Sequence, residues 1–445
     1  MGQLTPLFAI RSPPRVLLAL LAGSLAGYLF TAVGPAVWAL LAVPVTVAAW
    51  LQPAAALAAY CLAFPFLPDD VLVWGGLALV IVWLAAVVAR RERWVVPWPV
   101  PMVIFGLAVL VSFVTSVDPT GSFRDLVLHC TGMGLFTVAA NVLRRGRNAA
   151  WFCLAVSLAA ALVGAHGIYQ VASGAPIESG WVDRVHNPWL VARAYSVFGN
   201  PNVLAAYLLM VLPLAATAGW ISSGGWRVLL GICWICAMLC LVLTFSRGAW
   251  VAMAASGLAL SVLLERKLLP WLLVVCLLAL LISPSARALR QRVHTMFTLQ
   301  DSSTRYRVTV WRESLRMLSD YWMSGVGLGY QSFRRVYPAY MLDRTKDPYH
   351  AHSLYLELAV ELGLFGLLAF LWFCGDLGLR LLRKLKGAGR RHRGMLAAAV
   401  AFLVAVACYG IVENVLYMPK ITLSFWIFCG YAAATVSRRT EKARG

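Results

Sequence analysis

Long apolar runs alternate with short polar segments along the whole chain. Most runs approach the length that an α-helix needs to cross a bilayer, so the pattern predicts about fourteen membrane-spanning helices, or about twelve if the short early runs merge. The predicted spans are 15–33, 35–50, 53–66, 71–89, 99–116, 122–143, 149–172, 201–220, 226–244, 248–264, 267–283, 353–379, 394–412 and 421–436. We expect an all-α polytopic membrane protein in which residues 1–445 form a single transmembrane domain.

Composition agrees with this fold class and excludes a soluble domain. Hydrophobic residues make up 61% of the 445 residues, charged residues make up 13%, and the mean hydropathy is +0.78. The formal net charge of +20 lies in short clusters between apolar runs, which is typical of membrane topology signals and not of nucleic-acid binding. The 10 cysteines fall inside apolar runs and are expected to be small buried residues without a disulfide framework.

The basic clusters determine the predicted orientation, because Lys and Arg in short loops favour the cytoplasmic side. The predicted spans place all of these clusters on one side, and they lie at 90–93, 144–147, 265–267, 383–393 and 437–444. Both termini are then expected to be cytoplasmic. The same topology leaves residues 284–352 as a large external loop. Shorter external segments are predicted near 118–121 and at 173–200, 245–248 and 413–420.

The large external loop contains a segment with helical periodicity. In TRYRVTVWRESLRMLSDYW (304–322), apolar side chains recur at helical spacing among arginines, which predicts an amphipathic helix suited to a membrane surface. The apolar positions of this helix are Val308, Trp311, Leu315 and Leu318. The glycine-rich segment 325–333 follows, but it lacks the Lys-Ser/Thr pair of a phosphate-binding P-loop, so we exclude that function.

Several arginines lie on the predicted external face, where the positive-inside bias disfavours them, and the candidate site residues among them are Arg193, Arg247, Arg305 and Arg307. Arg247, in TFSRGAW, stands between two apolar runs with almost no loop around it. It either marks a tight turn by snorkelling or belongs to an anion site, and charge inside a membrane favours the second. Because a guanidinium group binds phosphate through two parallel hydrogen bonds, these arginines are candidate phosphate ligands.

The segment FGNPNVLAAYLL (198–209) opens another predicted span. Asn200 is suited to cap this helix and Pro201 to occupy its first position, which explains part of the motif. Asn202 is not needed for the cap. Since the free N–H groups of a helix start attract anions, Asn200 and Asn202 are candidates for ligand contact as well as for structural support.

The segment YHAHSLYLELAVELGLFG (349–366) places titratable groups at the start of a further span. His352, at the water–membrane boundary, is predicted either to take a proton from a substrate hydroxyl or to cap the helix, with His350 as a supporting residue. Glu361 is expected to lie about 13 Å into the span in a structural role, with an external arginine as its partner. Glu413 is the candidate carboxylate of the last external segment.

A zinc site formed by the HAH motif with His186 or His294 is an alternative for the two histidines. Two histidines one residue apart, without clear third and fourth ligands, form a weak zinc pattern. We therefore expect neither a metal nor another cofactor.

Several motifs resemble those of the O-antigen ligase and polymerase superfamily. The family signature has a His followed by Ser, Asn or Gln and, after nine more residues, a Gly, and it is matched here by His352-Ser353, 354–362 and Gly363. TFSRGAW resembles the Ser-Arg-Gly segment of the family, and RVTVW resembles the Arg-x-x-x-Trp at the start of its external helix. GVGLGYQSF and FGNPN are similar to further family segments. The resemblance covers residues 190–436.

The resemblance implies a GT-C-like, metal-independent, inverting glycosyltransferase in the bacterial cytoplasmic (inner) membrane, with its active site on the periplasmic or extracellular face. Its donor would be a glycan on undecaprenyl pyrophosphate, held by Arg247 and Arg307 with Arg193 and Arg305 nearby. His352 would activate a hydroxyl group of a lipid A core, another lipid or a glycan acceptor, although Glu413 or Glu361 would also suit this role. Its expected partners are these substrates and membrane lipids, and not nucleic acid.

Three other functions remain open at this stage. A polymerase that extends the carrier-linked chain shares the motifs of a ligase, so the sequence does not separate the two reactions. A bicarbonate-type anion transporter should have broken helices that meet at the middle of the membrane in paired halves, and the sequence lacks that symmetry. A scaffold of an envelope complex would not require Arg247.

Overall fold

The computed structural model describes residues 47–92, 94–175, 192–264, 302–342, 348–414 and 416–438. Within these ranges the regular secondary structure is helical and no strand occurs. The helices are α1 (Pro53–Ala63), α2 (Asp69–Ala89), α3 (Val100–Val114), α4 (Pro119–Val142), α5 (Gly146–Ala172), α6 (Pro201–Ile221), α7 (Gly224–Leu243), α8 (Arg247–Leu263), α9 (Ser302–Tyr321), α10 (Gly329–Val336), α11 (Leu354–Leu385), α12 (Arg390–Tyr409) and α13 (Pro419–Ser437).

The described helices confirm the predicted fold class. By length and composition, 7 of them are apolar enough to cross a membrane, namely α2, α4, α5, α6, α7, α11 and α12. Helices α1, α3 and α8 are apolar but shorter. Each predicted span from 53 to 436 that falls in the described ranges coincides with one helix. The predicted spans 15–33 and 267–283, and most of 35–50, lie outside the described residues.

Aromatic side chains fill the centre of the helix bundle. Helix α13 packs along α4, and the indole ring of Trp426 on α13 lies over Gly132 of α4, where a Cβ atom would collide with it. Phe105, Phe136 and Phe373 surround the same indole at ring-centroid distances of 5.8, 6.4 and 5.4 Å. A large ring opposite a glycine lets the two backbones approach closely, as is typical of helix packing in membranes.

Helix α11 is broken near its start. Gly363 has φ +69°, and a Cβ atom on this residue would collide with the Met323 carbonyl oxygen. Segment 322–327 enters the break: Val326 N–H donates to the Val360 carbonyl at 2.9 Å, and Leu364 N–H donates to the Trp322 carbonyl at 2.8 Å. The glycine-rich segment therefore satisfies backbone groups that the break leaves open.

Helix α9 packs on protein along a different face from the predicted one. Val310 and Met317 of α9 are buried in a second small core with Val360, and Leu315 is 56% exposed. Glu313 is also buried, accepts a hydrogen bond from the Tyr337 hydroxyl and accepts another from Leu342 N–H at 2.5 Å. Sequence periodicity correctly predicted the amphipathic helix. The side of the helix that faces the protein, however, is the one that carries the buried Glu313 carboxylate.

Candidate active site

Several helix ends meet at one end of the bundle. The start of α11 is joined to the end of α12 because Leu354 N–H donates to the Gly410 carbonyl at 2.8 Å. The start of α8 approaches the same segment, since a Cβ on Gly248 would lie 2.6 Å from Val412 Cγ2. Asn202, in the first turn of α6, donates to Glu413 at 2.8 Å. The basic start of α12, residues 390–393, lies at the opposite end of that helix.

Helix capping places the asparagines as the sequence predicted. The Asn200 side chain caps α6 and accepts a hydrogen bond from Asn202 N–H at 2.8 Å, and Pro201 occupies the first turn. The cap leaves the Asn202 side chain free to bridge two charged groups. Its Oδ1 accepts from Arg193 Nη2 at 3.2 Å, and its Nδ2 donates to the Glu413 carboxylate.

Glu413 is the carboxylate on which the polar residues converge. It is 5% exposed. Its Oε2 accepts hydrogen bonds from Asn202 at 2.8 Å and from Arg307 Nη2 at 3.3 Å. Its Oε1 lies 3.3 Å from His352 Nδ1 and 4.0 Å from His350 Nε2. One side chain thus joins residues from α6, α9 and the segment before α11.

These neighbours keep Glu413 ionised. Burial alone would raise the pKa of the Glu413 carboxyl, but the hydrogen bond to His352 and the electrostatic interactions with His352, Arg307 and His350 together lower that pKa to about 2. Glu413 is therefore a carboxylate at neutral pH, and both of its oxygens act only as hydrogen-bond acceptors.

The ionised carboxylate determines the tautomer of His352. Because Glu413 Oε1 only accepts, the proton of a neutral His352 ring lies on Nδ1, and Nε2 keeps its lone pair. His352 has further contacts. Its backbone carbonyl accepts a hydrogen bond from Trp311 Nε1 at 3.3 Å, and its ring lies 5.5 Å from the Tyr306 ring, centroid to centroid. His352 has φ +49°, and such left-handed non-glycine residues are concentrated at functional sites.

His350, in its neutral form, supports the backbone of His352. The His350 ring is stacked on Tyr417 with centroids 4.4 Å apart, and its Nδ1 accepts a hydrogen bond from His352 N–H at 3.1 Å. Burial lowers the pKa of His350, and the charges of His352 and Arg307 lower it further while Glu413 raises it, giving a value of about 3. His350 is thus neutral at physiological pH and fixes the backbone of its neighbour.

The arginines around this carboxylate differ in their placement. Arg307 contacts Glu413 through Nη2, while its Nε is buried without a hydrogen-bond partner among the described residues. Arg193 is 7% exposed and donates from Nε to the Thr244 carbonyl at 2.8 Å. Arg247 is half-buried at the first position of α8. Arg305 is exposed, and a separation of two residues turns it about 200° around α9 from Arg307.

Glu361 belongs to a different group of side chains. Among the described residues, the partner of Glu361 is not the expected arginine. The Glu361 carboxyl group lies against the Glu357 carboxyl group and accepts a hydrogen bond from Gly329 N–H. The Glu361 carbonyl accepts from the Ser112 hydroxyl at 2.6 Å, which closes the break in α11. These contacts point to the structural role predicted for Glu361.

Sequence reasoning missed some residues that support the site. Glu357 accepts a hydrogen bond from Ala351 N–H, between the two histidines, and so holds the segment that carries His352. Tyr409 donates to the Asn202 carbonyl at 3.2 Å and pairs with the Ser246 hydroxyl at 3.1 Å. Tyr409 ends α12, Tyr417 precedes α13, and the described residues between them are not helical, so helical periodicity gave no signal for these contacts.

A small cavity of about 40 Å³ opens between the carboxylate and the histidines. Its polar wall includes Asn202, His350, His352, Glu413 and Asn414. This volume is sufficient for one functional group or a few water molecules, and it is too small for a whole sugar. The cavity therefore suits a hydroxyl group that enters from a larger substrate outside it.

His350, His352 and Glu413 could also hold a metal ion. One ligand atom from each residue lies within 4.8 Å of the others. However, the guanidinium group of Arg307 is 3.3 Å from the same carboxylate and competes with a cation for it. The donor set resembles a metal site, whereas the adjacent positive charge favours an anion.

Comparison with known protein families agrees with the motif resemblance. Residues 231–371 match the family model described as Wzy_C, O-antigen ligase. This match contains Arg247, Arg307 and His352, while Asn202 and Glu413 lie outside it on either side. No curated protein matches the chain.

Proposed function

We propose that this chain, a member of the O-antigen ligase and polymerase superfamily, transfers a glycan from undecaprenyl pyrophosphate to an acceptor hydroxyl group. The observation that carries the proposal is the contact of Glu413 with both Arg307 and His352, each at 3.3 Å. One carboxylate thereby joins an anion-binding group to a proton acceptor. A transferase with an anionic leaving group needs both functions within one site.

The charge of the site suits a diphosphate. Arg307 contacts Glu413 directly, Arg193 is connected to it through Asn202, and Arg247 begins the neighbouring helix α8, so guanidinium groups approach this site from separate parts of the fold. The buried Nε–H of Arg307 remains as a donor for a phosphate oxygen. Guanidinium groups bind phosphate in two-point contacts and stabilise charge that develops on a leaving group. In this proposal Arg307 and Arg247 hold the pyrophosphate, Arg193 supports them through Asn202, and Arg305 has an outer role.

The reaction is a single displacement at the anomeric carbon of the donor sugar. His352 Nε2 takes the proton of the acceptor hydroxyl as its oxygen forms a bond to the anomeric carbon. The bond between that carbon and the pyrophosphate oxygen breaks, and its electron pair leaves with the pyrophosphate. The imidazolium ion is stabilised by Glu413 until its proton passes to water. The configuration of the sugar is inverted.

The location of the site also suits a lipid-linked donor. The polar residues lie at helix ends, so the lipid tail of a donor would lie in the bilayer while its sugar reaches water. We propose that this end of the bundle faces the periplasm or the cell exterior, because the basic segment 383–393 lies at the opposite end of α11 and α12. Both termini would then be cytoplasmic.

A metal-assisted reaction is the alternative that the His350–His352–Glu413 cluster allows. Two histidines and one carboxylate would leave open positions on a divalent ion, which would bind the diphosphate directly. We expect transfer to continue in the presence of EDTA, because the arginines neutralise the leaving group. Loss of transfer on chelation, with recovery on addition of Mg²⁺, Mn²⁺ or Zn²⁺, would overturn the metal-independent reaction.

The acceptor distinguishes a ligase from a polymerase, and both reactions use the same chemistry. We favour a ligase that attaches a finished chain to a lipid A core or another envelope acceptor. Deletion of the gene tests this choice. Accumulation of polymer on the lipid carrier supports the ligase, and loss of all polymer supports the polymerase.

The proposal is tested by replacing His352 in purified protein supplied with a glycan on undecaprenyl pyrophosphate. His352→Asn removes the base, and asparagine tolerates the left-handed backbone better than alanine does. The matched control is His392→Asn, in the first turn of α12 at the opposite end of the bundle. We expect His352→Asn to reduce kcat by about 10²- to 10⁴-fold and to leave donor binding nearly unchanged.

The control variant is expected to keep wild-type transfer and wild-type release of undecaprenyl pyrophosphate. If His352→Asn retains kcat within threefold of wild type, the histidine is not the base. If wild-type protein neither transfers the glycan nor releases the carrier, the proposed reaction is wrong. Uptake of bicarbonate that depends on Arg247 would support the transporter instead.

A further inference from the structure

A second, open cavity with both polar and apolar lining lies on the same end of the bundle, outside the cluster around Glu413. It has a volume of about 440 Å³ and lies between the start of α4 and helix α10. Tyr330, Gln331 and Arg334 of α10 form one wall, and Asp118 forms part of the other. None of these residues has a role in the proton transfer or in the proposed binding of the diphosphate.

The cavity has a rigid base. Ser332 of α10 is buried, and its hydroxyl lies 3.1 Å from the Ser116 hydroxyl and 3.0 Å from the Ser122 hydroxyl. Phe333 and Tyr337 are buried on the other side, with their rings stacked 4.9 Å apart. Helix α10 is thus anchored along its length, and its outer side chains keep a defined spacing. Preformed sites of this kind bind ligands with a smaller loss of conformational entropy.

Tyr330 lines the cavity, and the ring of Tyr349 packs beside it. The centroids of Tyr330 and Tyr349 are 6.3 Å apart, with the planes at 53°, and the side chain of Tyr349 is strongly exposed. The Arg334 guanidinium lies over one face of Tyr349 at 4.6 Å, which holds that ring in place. Exposed, fixed aromatic rings with polar edges are suited to a ligand that has both an apolar face and hydroxyl groups.

Planar polar groups surround these rings. The Gln331 carboxamide packs against Gly121, where a Cβ atom would collide with it, so the glycine makes room for this side chain. Asp118 lies 3.7 Å from Arg335 Nη1. Amide, carboxylate and guanidinium groups together offer alternating donors and acceptors, which match neighbouring hydroxyl groups on a sugar ring.

The charge balance argues against a second phosphate site. Arg335 already contacts Asp118, and the Arg334 guanidinium is stacked on Tyr349, so the three charges sum to +1 + 1 − 1 = +1. At the site around Glu413, by comparison, the Nε–H group of Arg307 is buried without a hydrogen-bond partner among the described residues. A neutral or weakly acidic ligand rich in hydroxyl groups fits the second cavity better than a diphosphate does.

The two cavities are connected by a short segment of chain. Tyr349 packs against Tyr330 and Arg334 of the second cavity, while the next residue, His350, and then His352 lie near Glu413. Three peptide units separate Tyr349 from His352, so their Cα atoms are at most about 11 Å apart. A substrate that reacts at His352 therefore needs to cross only this segment to reach the tyrosines.

We propose that this second cavity binds the carbohydrate chain of a substrate, with pyranose rings stacked against Tyr330 and Tyr349 and hydroxyl groups bonded to Gln331, Arg334 and Asp118. This inference rests on the proposed glycan transfer and names the part of the site that recognises the sugar. The chain belongs either to the donor or to the acceptor, since the same chemistry serves both.

The test compares two double variants in purified protein reconstituted into lipid nanodiscs. Tyr330→Ala/Tyr349→Ala removes both rings, whereas Tyr330→Phe/Tyr349→Phe keeps them and serves as the matched control. The donors carry either one repeat unit or several, and the acceptors either carry a core oligosaccharide or lack one. We expect the alanine variant to raise KM at least tenfold for one long-chain substrate, with kcat within threefold of wild type.

A rise in KM confined to the multi-repeat donor assigns the cavity to the donor glycan. A rise confined to the oligosaccharide-bearing acceptor assigns it to the acceptor. If neither KM changes in the alanine variant, or if the phenylalanine variant loses as much as the alanine variant, stacking on these rings is refuted.

A direct binding measurement separates this proposal from the proposed reaction. Oligosaccharides released by mild acid from the envelope glycans of the source organism are labelled with a fluorophore and titrated against the nanodiscs. Binding by wild type that the alanine variant weakens at least tenfold supports the cavity even where no transfer is detected. Equal binding by both proteins overturns it, whatever the transfer assay shows.

Discussion

Glu413→Gln is the substitution that tests the arrangement around His352 most directly. The glutamine has nearly the same shape and can still accept a hydrogen bond from Asn202, but it lacks the negative charge that faces Arg307 and His352. It can also present an N–H group to His352 Nδ1. That contact would move the ring proton to Nε2 and leave no base in the cavity.

The expected effect follows from the pKa of Glu413. A shift from the ordinary 4.5 to about 2 means that the surroundings favour the ionised over the neutral carboxyl by about 3 kcal/mol. Much of this interaction is with His352, so the carboxylate would stabilise that ring when it gains a proton during the proposed reaction. We therefore expect kcat to fall about 10³-fold, as happens when a carboxylate that orients a catalytic histidine is replaced by an amide.

The assay measures kcat and KM separately over a range of pH. Glu413 acts through His352, so it is a positioning residue, and Glu413→Gln is expected to shift the acid limb of the kcat profile to lower pH. Glu413→Asp should restore part of the rate, because it restores the charge. Asp376→Asn, which disturbs only an exposed ion pair with Arg380, is the matched control. A Glu413→Gln enzyme with kcat within threefold of wild type and an unshifted profile would refute this reasoning.

Three further predictions concern the support of the site. The pKa of His350 falls from 6.5 to about 3 in the folded protein, so unfolded chains bind more protons in this range, and thermal stability in detergent should decrease as pH falls from 6.5 towards 3. His350→Asn should flatten this slope by up to about 1.4 kcal/mol per pH unit, and an unchanged slope would contradict the assignment. Glu357→Ala should lower kcat about tenfold by releasing Ala351 N–H, whereas Glu357→Gln should keep most of the rate; equal rates in the two variants would show that the contact is dispensable. Gly363→Ala should lower the melting temperature by several degrees, because both its left-handed backbone and its contact with segment 322–327 exclude a Cβ; an unchanged melting temperature would show that the break is not tightly packed.

Much of the fold followed from the sequence because membrane helices carry a strong local signal. Apolar runs, the Asn200–Pro201 helix start and the basic clusters each depend on residues close together in the chain. The break in α11 was not predictable in the same way. Gly363 was expected to permit a close approach, but the approaching group is a loop about forty residues earlier in the chain, at 322–327. Pairing at that distance leaves no periodicity in either segment.

The residue types of the candidate site were predictable from the sequence, but the contacts between these residues were not. Arginines on the predicted external side and a histidine at a predicted helix start stand out because charge is costly at those positions. Which groups would pair could not be deduced. Glu361 was expected to meet an arginine and instead lies against Glu357, while Glu413 takes the arginine and the histidine. The choice depends on how separate helices are rotated, and the sequence of one helix does not specify this.

The glycines of segment 325–333 make close packing contacts. Gly325, Gly327 and Gly329 all have positive φ, and a Cβ on each would collide with Glu361, Ser116 and Asp125, respectively. These contacts clamp α10 and the break in α11 against α3 and α4, and they do not form a cradle for a phosphate group. A diphosphate bound by this chain, as we propose, would therefore be held by side chains, and the arginines around Glu413 would supply the positive charge. Substitutions of these glycines are therefore expected to lower stability more than activity. Substitution of Arg307 is expected to lower the rate of glycan transfer in a protein that remains folded.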